Sequence, residues 1–177
     1  MLRSFIITCL ALLTVACTGL PDSVQPIQGF ETNRYLGKWY EIARLDHSFE
    51  RGLSNVSAQY NLREDGGIRV INRGYSTKEK RWKEAEGKAY FVNQQNRGHL
   101  KVSFFGPFYG SYAIFELDHE RYQYAFVSGY NNSYLWLLAR TPVIDKKIIN
   151  NFIKQSRSLG FDTDQLIFVN HDLQQAR

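Results

Sequence analysis

The chain has 177 residues, enough for one domain with a sizeable core. Aromatic residues make up 15%, mostly Tyr and Phe, a composition that favours strands over a helical bundle. The formal net charge of +5 is a modest basic excess. It comes without a Lys/Arg cluster on one helix or a base-reading motif, which argues against nucleic acid as a partner and suits a surface near anionic lipid.

The first element is a leader. Arg3 precedes an apolar run from Phe5 to Val15, about eleven residues and too short to span a bilayer. Leu13-Thr14-Val15-Ala16-Cys17 resembles a lipoprotein cleavage box, with Thr14 where Leu is usual. That resemblance implies a signal peptide over residues 1–16 and lipid modification of Cys17. An ordinary secretory signal with an incidental Cys is the alternative. Thr18, in place of the Asp that retains lipoproteins at the inner membrane, implies the outer membrane. Residues 17–29, with Pro21, Pro26 and Gly29, read as an acylated N-terminus and tether, and residues 30–177 as the folded domain. Cys9 leaves with the leader. The domain is therefore expected to hold no internal disulfide and no Cys-based zinc site, so packing must stabilise it.

Beyond the tether, segments of about seven to ten residues alternate with turn signals, the pattern of an all-β meander. Strands are expected over Lys38–Leu45, Ser54–Arg63, Ile68–Gly74, Trp82–Val92, His99–Phe105, Tyr109–Leu117, Tyr122–Gly129 and Ser133–Arg140. In the second, Val56, Ala58, Tyr60 and Leu62 share one face and Ser57, Gln59 and Asn61 the other, a period of two. Glu64-Asp65-Gly66-Gly67 reads as a hairpin turn, and Gly106-Pro107 as another. After Pro142, Asp145 reads as an N-cap, Ile148, Ile149, Phe152 and Ile153 recur at helical spacing, and Gly160 reads as a stop. A short strand, Leu166–Val169, closes the chain. Eight antiparallel strands joined by hairpins predict an all-β, eight-stranded up-and-down barrel with one C-terminal α-helix packed outside.

Catalytic constellations are not evident. His47, His99, His119 and His171 have no metal-ligand spacing and read as surface or turn residues; no metal and no cofactor are expected. No Gly-x-Ser-x-Gly elbow, phosphate loop or nucleophile–base pair is present.

Leu36-Gly37-Lys38-Trp39-Tyr40-Glu41-Ile42 opens the first strand, and Arg140 ends the eighth. Together with Trp39–Arg44, Phe49–Leu53, Glu86–Ala89 and Lys101–Phe108, these residues resemble the lipocalins. Within them the chain is most similar to bacterial lipocalin lipoproteins, apolipoprotein D and plant temperature-induced lipocalins. The middle family motif is degraded to Glu120-Arg121-Tyr122-Gln123-Tyr124, which leaves the phase of the seventh strand open. The resemblance implies that Gly37, Trp39 and Arg140 form a structural motif, the guanidinium covering the indole at the closed end. It also implies a non-enzymatic carrier or store of fatty acids or lysophospholipids. Such a carrier would be lipid-anchored at the outer membrane, face the periplasm, and act in envelope stress or membrane maintenance. An enzyme acting on a lipophilic substrate in the same cup, and a structural lipoprotein with a filled barrel, are the competing readings; a homodimer is left open.

Alternation nominates the wall of the cup: Val56, Ala58, Tyr60, Val70, Ala89, Val102, Phe104, Tyr112, Ile114, Phe126, Trp136 and Leu138. If Trp39 points inward, so does Glu41, which then needs a cation, a Tyr hydroxyl or a raised pKa. The loops expected at the open end carry His47, Arg51, Lys78, Lys80 and Arg81 with Phe49, Phe105, Phe108, Tyr109 and Tyr130, a mixture suited to a bilayer interface.

Overall fold

The computed structural model describes residues 19–175; the cleavage box and Cys17 lie outside the described residues. Strands β1 (Gly37–Arg44), β2 (Leu53–Leu62), β3 (Ile68–Ser76) and β4 (Arg81–Phe91) follow in order, then β5 (His99–Phe105), β6 (Phe108–Leu117), β7 (Tyr124–Ser128) and β8 (Leu135–Ala139). Each pairs antiparallel with the next, and β1 pairs with both β2 and β8, closing the barrel. A ninth strand, β9 (Ile167–Phe168), lies against the far end of β1, where Ala43 faces Phe168. Closure leaves the eight barrel strands no long free edge.

The turns follow their chemistry. In the β2–β3 hairpin Gly66 takes φ +79°, a conformation that a side chain disfavours, and Arg63 N–H donates to the Gly67 carbonyl at 2.9 Å. Between β6 and β7 the Asp118 carboxylate accepts from the amides of Arg121 and Gln123. That turn extends through Tyr122, at φ +55°, and Gln123, so β7 begins at Tyr124 and not at the expected Tyr122. Likewise the Asn131 side chain accepts from Ser133 N–H at 2.9 Å, and β8 starts two residues after the expected Ser133.

Helix α1 (Thr32–Tyr35) lies just before β1, and α2 (Lys146–Ser158) packs outside the barrel. Asp145 caps α2 by accepting from Lys147 N–H at 2.8 Å, and Gly160 at φ +87° follows its end, as expected. The apolar stripe of α2 seats Phe152 on Phe126, ring centroids 5.0 Å apart. Two cores result. An inner one fills the closed half of the barrel with Trp39, Tyr60, Ile114, Val127 and Leu138. An outer one lies beneath α2 with Ala43, Phe126, Leu137, Phe152 and Phe161.

Part of the segment read as a tether is docked. Ile27 N–H donates to the Ile114 carbonyl, Gly98 N–H to the Ile27 carbonyl, and Val24 is buried. Gln28 also bridges Arg97. Residues 27–30 thus run past the β4–β5 turn at the closed end, and Val24 packs into the outer core with the residues beneath α2.

Candidate functional site: the barrel cavity

Inside the barrel is a cavity of about 520 Å³, within the range of small-molecule sites. A filled barrel is thereby overturned. Val56, Ala58 and Tyr60 from β2, Val70 from β3, Ala89 from β4, Val102 and Phe104 from β5, Tyr112 from β6 and Trp136 and Leu138 from β8 all line it. Small side chains at Ala58 and Ala89 leave room between the rings and branched residues.

Two expected wall residues lie elsewhere. Ile114 points inward, but it is fully buried in the packed core toward the closed end and does not line the cavity. Phe126 points outward, under α2, and this is a correction. Register explains it: Val127 and Ala125 pair with the inward Trp136 and Leu138, so Phe126, paired with Leu137, must face out. Both faces of β7 are apolar, one toward the barrel core and one toward the helix. Alternation there carries no polar face to fix the phase.

The floor is built around Trp39, which is fully buried. Its indole N–H donates to the Tyr35 carbonyl at 2.8 Å, and the Arg140 guanidinium lies 4.0 Å from its ring centroid. Arg140 also donates to the carbonyls of Lys38 at 3.0 Å, Arg34 at 2.6 Å and Tyr122 at 3.2 Å, tying β1, α1 and the β6–β7 turn to one cation. Gly37, at φ +94°, turns the chain from α1 into β1 against that guanidinium. Above the indole, Tyr112 hydroxyl meets those of Tyr35 at 2.7 Å and Tyr60 at 3.0 Å. Burial, first of all, raises the pKa of each of these phenols, so all three are neutral at physiological pH.

The other half of the cavity is more highly charged. Glu41 is buried in the wall and accepts from Arg44 at 2.6 Å. On a regular strand these two positions would face opposite sides. A bulge between Glu41 and Ala43 resets the phase, so Arg44 pairs with Trp136 and turns inward beside its carboxylate. Arg44 also donates to the Glu50 carbonyl at 3.0 Å. The Glu50 carboxylate accepts from the Trp136 indole at 3.2 Å and lies 3.0 Å from His47 Nε2. Burial, then the Glu50 charge, hold the Glu41 pKa well above the usual carboxylate value, outweighing Arg44. For Glu50 burial also works upward, but His47, the Trp136 donor and Arg44 together bring it below the ordinary value. The two carboxyls are thus pushed in opposite directions, Glu41 holding its proton more tightly and Glu50 less tightly than a free carboxyl.

Sequence reasoning missed Tyr35, Arg44, Glu50 and the burial of His47. The inward phase of Glu41 was the available signal that a cation must sit nearby; the bulge that supplies Arg44 had none. Three histidines expected at the surface are buried instead. His47 stacks on Phe49 at 4.0 Å, His99 meets the Ser111 hydroxyl at 3.0 Å, and His171 Nε2 donates to the Glu41 carbonyl at 2.7 Å. Around the rim Phe49, Phe105 and Phe108 are more than half exposed, and Tyr130 partly so.

Comparison with known proteins agrees with this geometry. The profile of the lipocalin-like domain family matches residues 30–171. The chain is 64% identical over 165 residues to the outer membrane lipoprotein Blc of Vibrio cholerae, covering 93% of this chain and 96% of that protein. It is 48% identical over 161 residues to the outer membrane lipoprotein Blc of Escherichia coli K12, covering 90% of each. Among solved structures, insecticyanin from the tobacco hornworm Manduca sexta superposes with a TM-score of 0.68 at 20% identity, covering 86% of each chain, and so shares the fold. The relatives' shared designation and the length of the matches place this chain at the outer membrane too. An enclosed apolar barrel, the Trp39–Arg140 floor and these matches lead to one conclusion: the chain belongs to the lipocalin family, as a hydrophobic-ligand-binding barrel of the outer membrane.

Proposed function

We propose that this lipocalin is a non-enzymatic carrier or store for fatty acids or lysophospholipids, held at the periplasmic side of the outer membrane by an acylated Cys17. The observation that carries the reading is the apolar, aromatic-lined cavity of about 520 Å³. Burying a C16 chain gains roughly 12 kcal/mol gross at about 0.8 kcal/mol per CH₂. Association costs offset a large part of that, which leaves affinities of about micromolar or better. The residues proposed to hold the chain are the wall residues that line the cavity, Val56, Ala58, Tyr60, Val70, Ala89, Val102, Phe104, Tyr112, Trp136 and Leu138.

The titratable groups around the cavity support binding over turnover. Glu41 is tied to Arg44, Glu50 to His47 and Trp136, and the three tyrosines to one another. A rim with exposed Phe105 and Phe108 on the β5–β6 turn, and with Lys78 and Lys80 on the β3–β4 turn of the same end, suits contact with an anionic bilayer, from which an acyl chain is collected during envelope stress or membrane maintenance. Arg51 and Arg81 contribute less, since Asp46 and Glu79 already neutralise them.

Native mass spectrometry tests the reading. Protein stripped of lipid and supplied with hexadecanoic acid or a lysophospholipid should take up one molecule and return it chemically unchanged. Failure to retain either would overturn the carrier reading, and a modified product would establish an enzyme. Sedimentation of the same sample shows whether the barrel pairs with another copy.

A further inference from the structure

The hydroxyls of Tyr35, Tyr112 and Tyr60 form an open chain of three with Tyr112 in the middle, at 2.7 Å and 3.0 Å from its neighbours. Three phenols carry three protons, and two contacts can use only two of them. If both end residues donate to Tyr112, the Tyr112 proton is left over. If Tyr112 donates to one end, that end keeps a proton of its own. Whichever arrangement holds, one O–H has no acceptor among the described residues. All three side chains line the cavity, which puts the unused O–H at the cavity wall.

The surroundings limit what the proton can meet. The Arg140 guanidinium is committed to three backbone carbonyls and the Trp39 face, and the Trp39 N–H to the Tyr35 carbonyl. The floor therefore presents one neutral donor and the lone pairs of phenol oxygens, with no directed cation. A carboxylate would find one donor for two charged oxygens in a place where desolvation is costly. A methyl end would leave the O–H unsatisfied. A neutral hydroxyl or ketone oxygen satisfies it, and a hydroxyl can return its own proton to a phenol lone pair.

We propose that the barrel floor is a hydrogen-bond-donating subsite that takes a neutral oxygen at the buried end of an elongated apolar ligand. The favoured cargo is then an acyl chain oxygenated near its far terminus, or another apolar molecule with a polar group at each end. This rests on the carrier reading and adds to it the chemistry of the ligand's inner end.

The test compares dissociation constants of hexadecanoic acid with 16-hydroxyhexadecanoic acid, and of dodecanoic acid with 12-hydroxydodecanoic acid, on the lipid-stripped protein. Two lengths are used so that the oxygen reaches the floor in at least one. At the better-fitting length the hydroxy acid should bind about tenfold tighter, the scale of one unsatisfied buried donor. In the triple variant Y35F/Y60F/Y112F, which keeps all three rings, the preference should vanish while the plain acid binds as well or better. Retained binding of the plain acid also shows that the variant is folded; if it is not, the wild-type ratio decides. Equal or weaker binding of the hydroxy acids at both lengths overturns the floor subsite, as does a preference that survives in the triple variant. If no acid binds at all, it is the carrier reading that falls.

Discussion

The two ends of the barrel solve the same problem differently. Each buries polar side chains in an apolar cavity. At the floor the groups are neutral phenols and an indole, and the one cation, Arg140, is held by three backbone carbonyls. Toward the mouth they are two carboxylates, an arginine and a histidine that depend on one another. Backbone carbonyls do not titrate, so the floor is a fixed part of the fold. The mouth cluster contains carboxyls that bind protons with unequal strength, so pH can alter it.

The sharpest way to break the comparison is at the floor. Trp39→Ala removes a fully buried indole and strips Arg140 of its ring, and should cost about 4 kcal/mol, read from the urea midpoint. A loss below about 1 kcal/mol would mean that the floor does not organise the barrel.

At the mouth, Arg44→Met leaves the Glu41–Glu50 pair without its cation and should cost about 3 kcal/mol near neutral pH. Adding Glu41→Gln should recover much of that, because the buried acid goes with it. Equal losses in the single and double variants would show that Arg44 acts through its backbone contacts alone.

The pH profile separates the ends next. Glu41 binds its proton more tightly folded than unfolded, so its contribution falls as pH rises above its ordinary value of 4.5 toward its raised one. Glu50 has the opposite sign. Its contribution is present above its ordinary value and is lost as pH falls through its lowered folded value. Denaturation midpoints of Glu41→Gln against wild type should therefore diverge increasingly from about pH 4.5 upward, with the variant gaining. Parallel profiles would mean that burial does not raise the Glu41 pKa.

The smallest effect on stability is expected at the rim. Phe105→Ser with Phe108→Ser should change stability by no more than about 0.5 kcal/mol, since both rings are exposed. The same pair, or charge reversal of Lys78 and Lys80, should weaken association of protein lacking the acyl anchor with anionic vesicles. Unchanged association would remove the membrane-facing role proposed for the mouth.

Much of this molecule is written in local pattern. Alternation over Val56–Tyr60 marks a strand with one inward face, and Asp145 and Gly160 bound the helix, because each signal depends on a residue's own backbone and near neighbours. Leu62, on the same alternation, is exposed at the strand's end. Gly37, Trp39 and Arg140 are legible as the closed end only through the family resemblance, since Trp39 and Arg140 meet only where β8 closes on β1. What the sequence left open depends on pairing across strands. Phe126 faces the helix because Leu137 does, and Arg44 reaches Glu41 only through a bulge. The Tyr35, Tyr60 and Tyr112 hydroxyls meet from one helix and two strands that closure of the barrel brings together. Periodicity can say that a side chain is on a face. Only the closed sheet decides which face is inside and what it meets there.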